Sequence, residues 1–249
     1  MNKRFNKIGF SRHLRFEWLE YTINLILAGN TSDDINVSLD EFLKDKLAAG
    51  SNAKGNAREK TINILKKIWL NVPKELEEFR DEGLKIYKYI SSDQHLVIHY
   101  GMAMSVYPFL RVVAESTGRL LRLQGNATWS QIERRVKEIY GDSATVSRSA
   151  RYVLRSFVHW GILKHGKQKG LYEPNNKLFI TNKDVIVWIF EAMLQSQLNT
   201  KISYKEIIDS PALFSFHFER IPNDYFLKHK RIGMMSNGID NEVLLFKYI

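Results

Sequence analysis

The sequence predicts a mainly α fold in three parts. These are an N-terminal helical bundle over residues 1–118, a central pair of helices with a basic hairpin over 119–174, and a small α+β C-terminal unit over 175–249. Three observations predict it. Apolar residues recur at helical spacing through the first half, and no period-two alternation appears before residue 160. Cap residues and glycines then bracket two short amphipathic helices and a lysine-rich turn. Charge is also uneven along the chain. Residues 119–172 hold eleven Lys and Arg against Glu133, Glu138 and Asp142, a net +8 out of +10 for the whole chain.

Taken in order, Phe16, Leu19, Ile23, Ile26 and Leu27 predict a helix from Phe16 to Ala28, closed by Gly29. Ser38 followed by Glu41 reads as a capping box for a helix running to Ala49. Gly50 to Asn56, rich in small and polar residues, predicts a loop. Asn56 to Asn71 predicts an amphipathic helix with Ile62, Leu65, Ile68 and Trp69 inward. Pro73 opens a further helix at its first turn, where its missing N–H costs nothing. Helices are expected over Asp81–Ile90 and Asp93–Leu123, the latter bent or broken near Pro108 and Gly118.

In the central part Thr128 caps a helix from Trp129 to Tyr140, with Ile132, Val136 and Ile139 inward. Gly141 and Asp142 turn the chain. Ser143 caps the next helix, Ala144 to about Trp160, whose buried stripe is Val146, Ala150, Val153, Leu154 and Phe157. Gly161 stops it, and Ile162–His165 and Leu171–Glu173 read as strands around the basic Gly166–Gly170 turn. This order, helix, tight turn, helix, hairpin, defines the winged helix-turn-helix. Beyond Pro174 the sequence predicts a helix over Lys183–Leu198 with Val187, Phe190 and Leu194 inward, and a helical turn over Tyr204–Asp209 stopped by Pro211. Strands are expected at Leu213–Phe218, Arg231–Met235 and Val243–Tyr248, with Ser236-Asn237-Gly238 as a turn. The tail aromatics Phe214, Phe216, Phe218, Tyr225, Phe226, Phe246 and Tyr248 alternate with Leu and Ile and read as core rather than as a base-stacking platform.

An apolar content of 44% supports real cores, and the absence of cysteine excludes disulfides and thiolate metal sites. No stretch reaches the ~20 apolar residues of a membrane span, and no apolar h-region follows the basic Met1–Lys7 start. A cytoplasmic protein with no membrane contact is expected. Localised positive charge on a helix-turn-helix points to double-stranded DNA as partner. The second helix of such a motif presents its N-terminal half to base edges. The residues placed there are Ser143, Thr145, Ser147, Arg148, Arg151 and Arg155, and the wing adds His165, Lys167 and Lys169. Arg suits bidentate reading of guanine, Ser and Thr suit phosphates, and the wing lysines suit the backbone.

Other motifs carry less. Gly50-Ser-Asn-Ala-Lys-Gly55 has the glycine spacing of a phosphate loop, but Asn56 and Ala57 stand where Lys and Ser/Thr are needed. His95 and His99 are four apart with no intervening Glu, which favours a structural role over a metal site. No Asp or Glu has Lys two positions on, as a restriction-type nuclease core requires, and Gly-x-Ser-x-Gly is absent. No catalytic residue, metal or cofactor is expected.

Two resemblances follow from these residues. Residues 127–174 resemble the winged-helix superfamily. Residues 9–163 resemble the small helical A-type accessory proteins of BREX phage-defence systems. The resemblance rests on an Ile8-Gly9-Phe10-Ser11 opening, a Leu- and Ile-rich helix ending near Gly29, and a basic Arg58/Lys60 helix carrying Ile64 and Leu65. Ser92-Asp93-Gln94 before a long helix and Gly161-Ile162-Leu163 after a basic one complete it. It implies DNA binding without a catalytic centre, prokaryotic phage defence as the setting, and other defence-system proteins as partners. The tail from Pro174 lies outside it, and it carries over no functional residue. The expectation is a non-catalytic DNA-binding accessory or regulatory protein. A ligand-responsive winged-helix regulator and a scaffold whose winged helix binds protein stand as alternatives.

Overall fold

The computed structural model describes residues 4–47, 56–236 and 242–247. The first part is helical: α1 (Phe16–Leu27), α2 (Ser32–Leu43), α3 (Ala57–Trp69), α4 (Glu77–Tyr87), α5 (His95–Val106) and α6 (Pro108–Gln124). Next come β1 (Ala127–Thr128), α7 (Trp129–Tyr140), α8 (Ala144–His159), β2 (Leu163–His165) and β3 (Leu171–Pro174). The remainder is β4 (Leu178–Ile180), α9 (Lys183–Gln195), β5 (Lys201–Ser203), α10 (Tyr204–Ile208), β6 (Phe216–Phe218), α11 (Asn223–Lys228), β7 (Ile232–Ser236) and β8 (Glu242–Phe246). The protein is mainly helical with small sheets.

Several boundaries differ from the sequence reading. Ser38 lies inside α2, not at its start. The helix begins at Ser32 because Thr31 and Asp34 form a reciprocal capping box whose cap lies seven residues earlier. Pro73 precedes a 3₁₀ turn (Lys74–Leu76) that leads into α4, so the helix expected from Asp81 starts at Glu77 and ends at Tyr87. The expected 93–123 helix breaks at Tyr107–Pro108, where α5 and α6 meet at 116°. Gly118 causes no break. It lets α6 press on the 3₁₀ turn at Pro211–Leu213, since a Cβ there would stand 2.0 Å from the Pro211 carbonyl oxygen. Ile139 is exposed, not inward. A short strand, β1, does precede residue 160, and β4, β5 and α11 were not anticipated. The strand expected at 213–218 is confined to Phe216–Phe218. α2 ends at Leu43, short of the expected Ala49, and Ser236 ends β7 instead of opening a turn. The Gly50–Gly55 motif, Ala49, Asn237-Gly238 and Tyr248 lie outside the described residues.

Three small sheets close the fold. β1, β3 and β2 form an antiparallel sheet in that order, with Ala127 opposite Tyr172 and Leu163 opposite Pro174. β4 pairs with β6 in parallel, and β8 lies between β5 and β7, antiparallel to both.

One buried cluster runs from Phe10 to Leu244. α9 lies at its centre, buried throughout Val185–Leu194. Trp188 stacks on Phe79 of α4 at 4.4 Å and donates its indole N–H to the Phe79 carbonyl. Gly101 of α5 admits the same ring, because a Cβ there would lie 2.5 Å from it. α6 runs through residue 118, so the bundle and the central segment share a helix. The tail rings Phe216, Phe218 and Phe226 are buried, as the interleaving of Leu and Ile predicts. No single helix among the described residues is long and apolar enough to cross a membrane.

Candidate nucleic-acid interface

The central segment is built around Thr128. This residue pairs in β1, and its hydroxyl caps α7 by accepting from the Gln131 N–H, while Gln131 returns a bond to the Thr128 N–H. The Trp129 N–H donates to the Gly170 carbonyl at 2.7 Å. One cap therefore fixes the start of α7 to the tip of the hairpin. Ser143 caps α8 by accepting from the Val146 N–H. Val146, Ala150, Val153, Leu154 and Phe157 are buried, as the helical period predicts. Burying that stripe turns the opposite face of α8 outward.

Each predicted contact residue can now be placed. Thr145, Arg148, Arg151 and Arg155 are exposed on α8, and His165, Lys167 and Lys169 on the hairpin. Ser143 is exposed but engaged as a cap. Ser147 is half-buried and its hydroxyl donates to the Ser143 carbonyl at 3.4 Å, so it is the least available of the nine. A cleft of about 580–640 Å³ is not unusual on this surface, but the one of ≈ 640 Å³ between α7, α8 and the hairpin is basic. Arg151, Arg155, His165 and Lys169 line it together with Thr128, Trp129, Ser130, Gly170 and Tyr172. The Arg151 guanidinium lies 4.5 Å from the centre of the Trp129 ring. Thr145, Arg148 and Lys167 stand outside this lining.

The eleven basic residues of the segment divide by partner. Arg119 pairs with Glu115, Arg134 with Glu138, Lys137 with Glu133 and Asp142, and Lys164 with Glu173. Arg122 donates to the Asp209 carbonyl, and Arg135 lines a separate cleft together with Arg111, Glu115, Arg119 and Glu138. Arg148, Arg151, Arg155, Lys167 and Lys169 form no ion pair among the described residues. Most of the excess charge thus sits on α8 and the hairpin.

Sequence reasoning missed a neighbour of this face. His13 stacks on His159 of α8 at 5.2 Å, and Arg12 lies 5.8 Å from the Tyr152 ring. Burial and the surrounding His159, Arg155, Arg15 and Arg12 lower the His13 pKa to about 4. Residues 1–118 carry little net charge, which hid this local cluster.

Two other titratable clusters are accounted for by the fold. His99 is fully buried. Trp69 donates to its Nδ1 at 3.1 Å, so Nε2 carries the proton and donates to Glu20 at 2.7 Å. His95 and Tyr87 also bond Glu20. The His95/His99 pair is therefore a structural network completed by an acid from α1. Glu82, Glu191 and His229 bring their ligand atoms within 4.8 Å of one another. Arg231 already lies on both carboxylates, at 2.8 Å and 2.9 Å from Glu191 and in direct contact with Glu82. The Ile232 N–H bonds His229 Nδ1, leaving Nε2 to donate to Glu82. A guanidinium supplies the positive charge that a metal would bring, so the cluster ties β7 to α4 and α9.

The chain matches no protein-family model, no curated protein and no solved structure.

Proposed function

We propose that the chain is a non-catalytic DNA-binding protein whose α7, α8 and β2–β3 hairpin act as a winged helix-turn-helix on duplex DNA. One observation carries this reading: seven of the segment's eleven cations form no ion pair among the described residues, and five of these, Arg148, Arg151, Arg155, Lys167 and Lys169, stand exposed together on α8 and the hairpin. Uncompensated cations on one face suit a phosphate backbone, whose counterions they displace. The Trp129–Arg151 contact adds a planar, cationic element to the same face. An accessory or regulatory role in prokaryotic phage defence, in company with other defence proteins, is the setting that the resemblance to A-type BREX proteins suggests.

Alanine variants test the assignment in a duplex-binding titration. Lys167→Ala with Lys169→Ala is expected to weaken all sequences alike and to make the log–log salt slope shallower by about two. Arg148→Ala or Arg151→Ala should in addition flatten any sequence preference, by ~1–3 kcal/mol at a guanine read in bidentate fashion. Binding that survives all of these unchanged places the DNA surface elsewhere and overturns the assignment.

A further inference from the structure

The segment before α1 is pinned to α8 at the buried Ser156, beside the exposed row of that helix. Phe10 is buried against Tyr107 at 5.6 Å, and it holds a left-handed backbone (φ 56) that a bulky residue adopts only when packing compels it. Leu14 is buried, and its N–H donates to the buried Ser156 hydroxyl of α8 at 2.8 Å. Between and beside these anchors stand the half-buried Arg12 and His13 and the exposed Arg15. His13 lies over His159 and, at 6.4 Å, Tyr152. Arg12 leans on Tyr152, and Arg15 on Trp18 at 5.7 Å.

Tyr152, Ser156 and His159 follow one another at helical spacing, one row round the helix from Arg148, Arg151 and Arg155. The positive row on α8 therefore continues into Arg12 and Arg15, with the His13 ring between them. Burial, His159 and the positive charges of Arg155, Arg15 and Arg12 all disfavour a proton on His13, so its ring is neutral near neutral pH and the charge here is that of the arginines. The fold gathers like charges without gaining from it, which is what an absent polyanion would relieve. Glu17 pairs with Arg15 at 3.6 Å, but both side chains are about half exposed, so water screens the pair.

We infer that this strap, residues 11–15 together with His159, is a second phosphate-contacting element that extends the α8–hairpin face along the DNA backbone. The inference rests on the proposed DNA-binding reading. It assigns the strap to the backbone and not to bases, because Arg12 and Arg15 flank the row that follows the groove.

The test compares salt slopes on a labelled duplex of mixed sequence, from about 50 to about 200 mM salt. Arg12→Ala with Arg15→Ala should reduce the slope by about two and weaken binding to every sequence alike. Arg12→Lys with Arg15→Lys keeps the charge and should restore the slope. An unchanged melting temperature in both variants shows that the fold is intact. If the alanine pair keeps the wild-type slope and affinity, the strap inference is overturned. In that case loss of binding in Arg148→Ala/Arg151→Ala/Arg155→Ala would leave the groove reading standing. Failure of the lysine pair to restore the slope would mean that the arginines act through packing, which also overturns it. A wild type that binds no duplex removes both readings together.

Discussion

Glu20 shows how much a single side chain organises in this protein. It accepts hydrogen bonds from His99, His95 and Tyr87, joining α1 to α4 and α5. Burial alone would raise its pKa, but those bonds, led by that of His99, hold it at about 2. The folded value lies below the ordinary one of 4.5, so the ionised carboxylate stabilises the fold above about pH 4.5. That contribution is expected to fade as pH falls toward 2, and a urea midpoint series between those values checks it. Glu20→Gln should flatten the dependence. His99→Leu should cost about 3 kcal/mol, because it orphans the buried Trp69 N–H and removes one of Glu20's partners. Equal urea midpoints for wild type and His99→Leu would contradict the network. The sequence made His95 and His99 neighbours on a helix, but Glu20 could not be read from it, since its role depends on how α1 crosses α5.

Elements were legible where their signals are local. Thr128 with Gln131, Ser143, and the stripe Val146–Phe157 each specify their helix within a few residues, and the structure follows them. Ser38 and Glu41 carry the same capping signature, yet Thr31 and Asp34 hold one helical turn and more upstream and absorb Ser38 into α2. β4 and β6 are three residues long and pair in parallel across a long connection, so neither offers an alternation to detect. Two substitutions probe the elements. Phe157→Ala is expected to cost about 3–5 kcal/mol through the cavity it leaves under α8. Gly118→Ala should cost about 1–3 kcal/mol, because its methyl meets the Pro211 backbone and pushes α6 off the 211–213 turn. Thermal or chemical denaturation measures both, and a neutral Gly118→Ala would mean that this contact yields without strain.

Across the whole molecule, the charge pattern read along the sequence survives folding in a sharper form. A net +8 over the central segment resolves into four cations held by Glu115, Glu138, Glu133, Asp142 and Glu173, two more, Arg122 and Arg135, away from the hairpin, and five on α8 and the hairpin that form no ion pair among the described residues. The strap cations were not legible, because Arg12 and Arg155 come together only through the Leu14–Ser156 bond. At the opposite extreme, Arg231 neutralises the fully buried Glu191 and ties the C-terminal sheet to α4 and α9. Arg231→Met should therefore destabilise the protein by about 3–5 kcal/mol by leaving a buried carboxylate unpaired. Loss of the C-terminal sheet's hydrogen-exchange protection before that of α8 would locate the effect.

The central claim, a phosphate-contacting face on α8 and the hairpin, is tested most directly by the salt dependence of wild-type binding to duplex DNA. Five cations of the α8–hairpin face imply a log–log slope of about −4 to −5, and the two strap arginines bring it to about −6. A slope in that range, made shallower by about two in Lys167→Ala/Lys169→Ala, is the expected result. A salt-independent signal, or no binding at about 50 mM salt, would contradict the account.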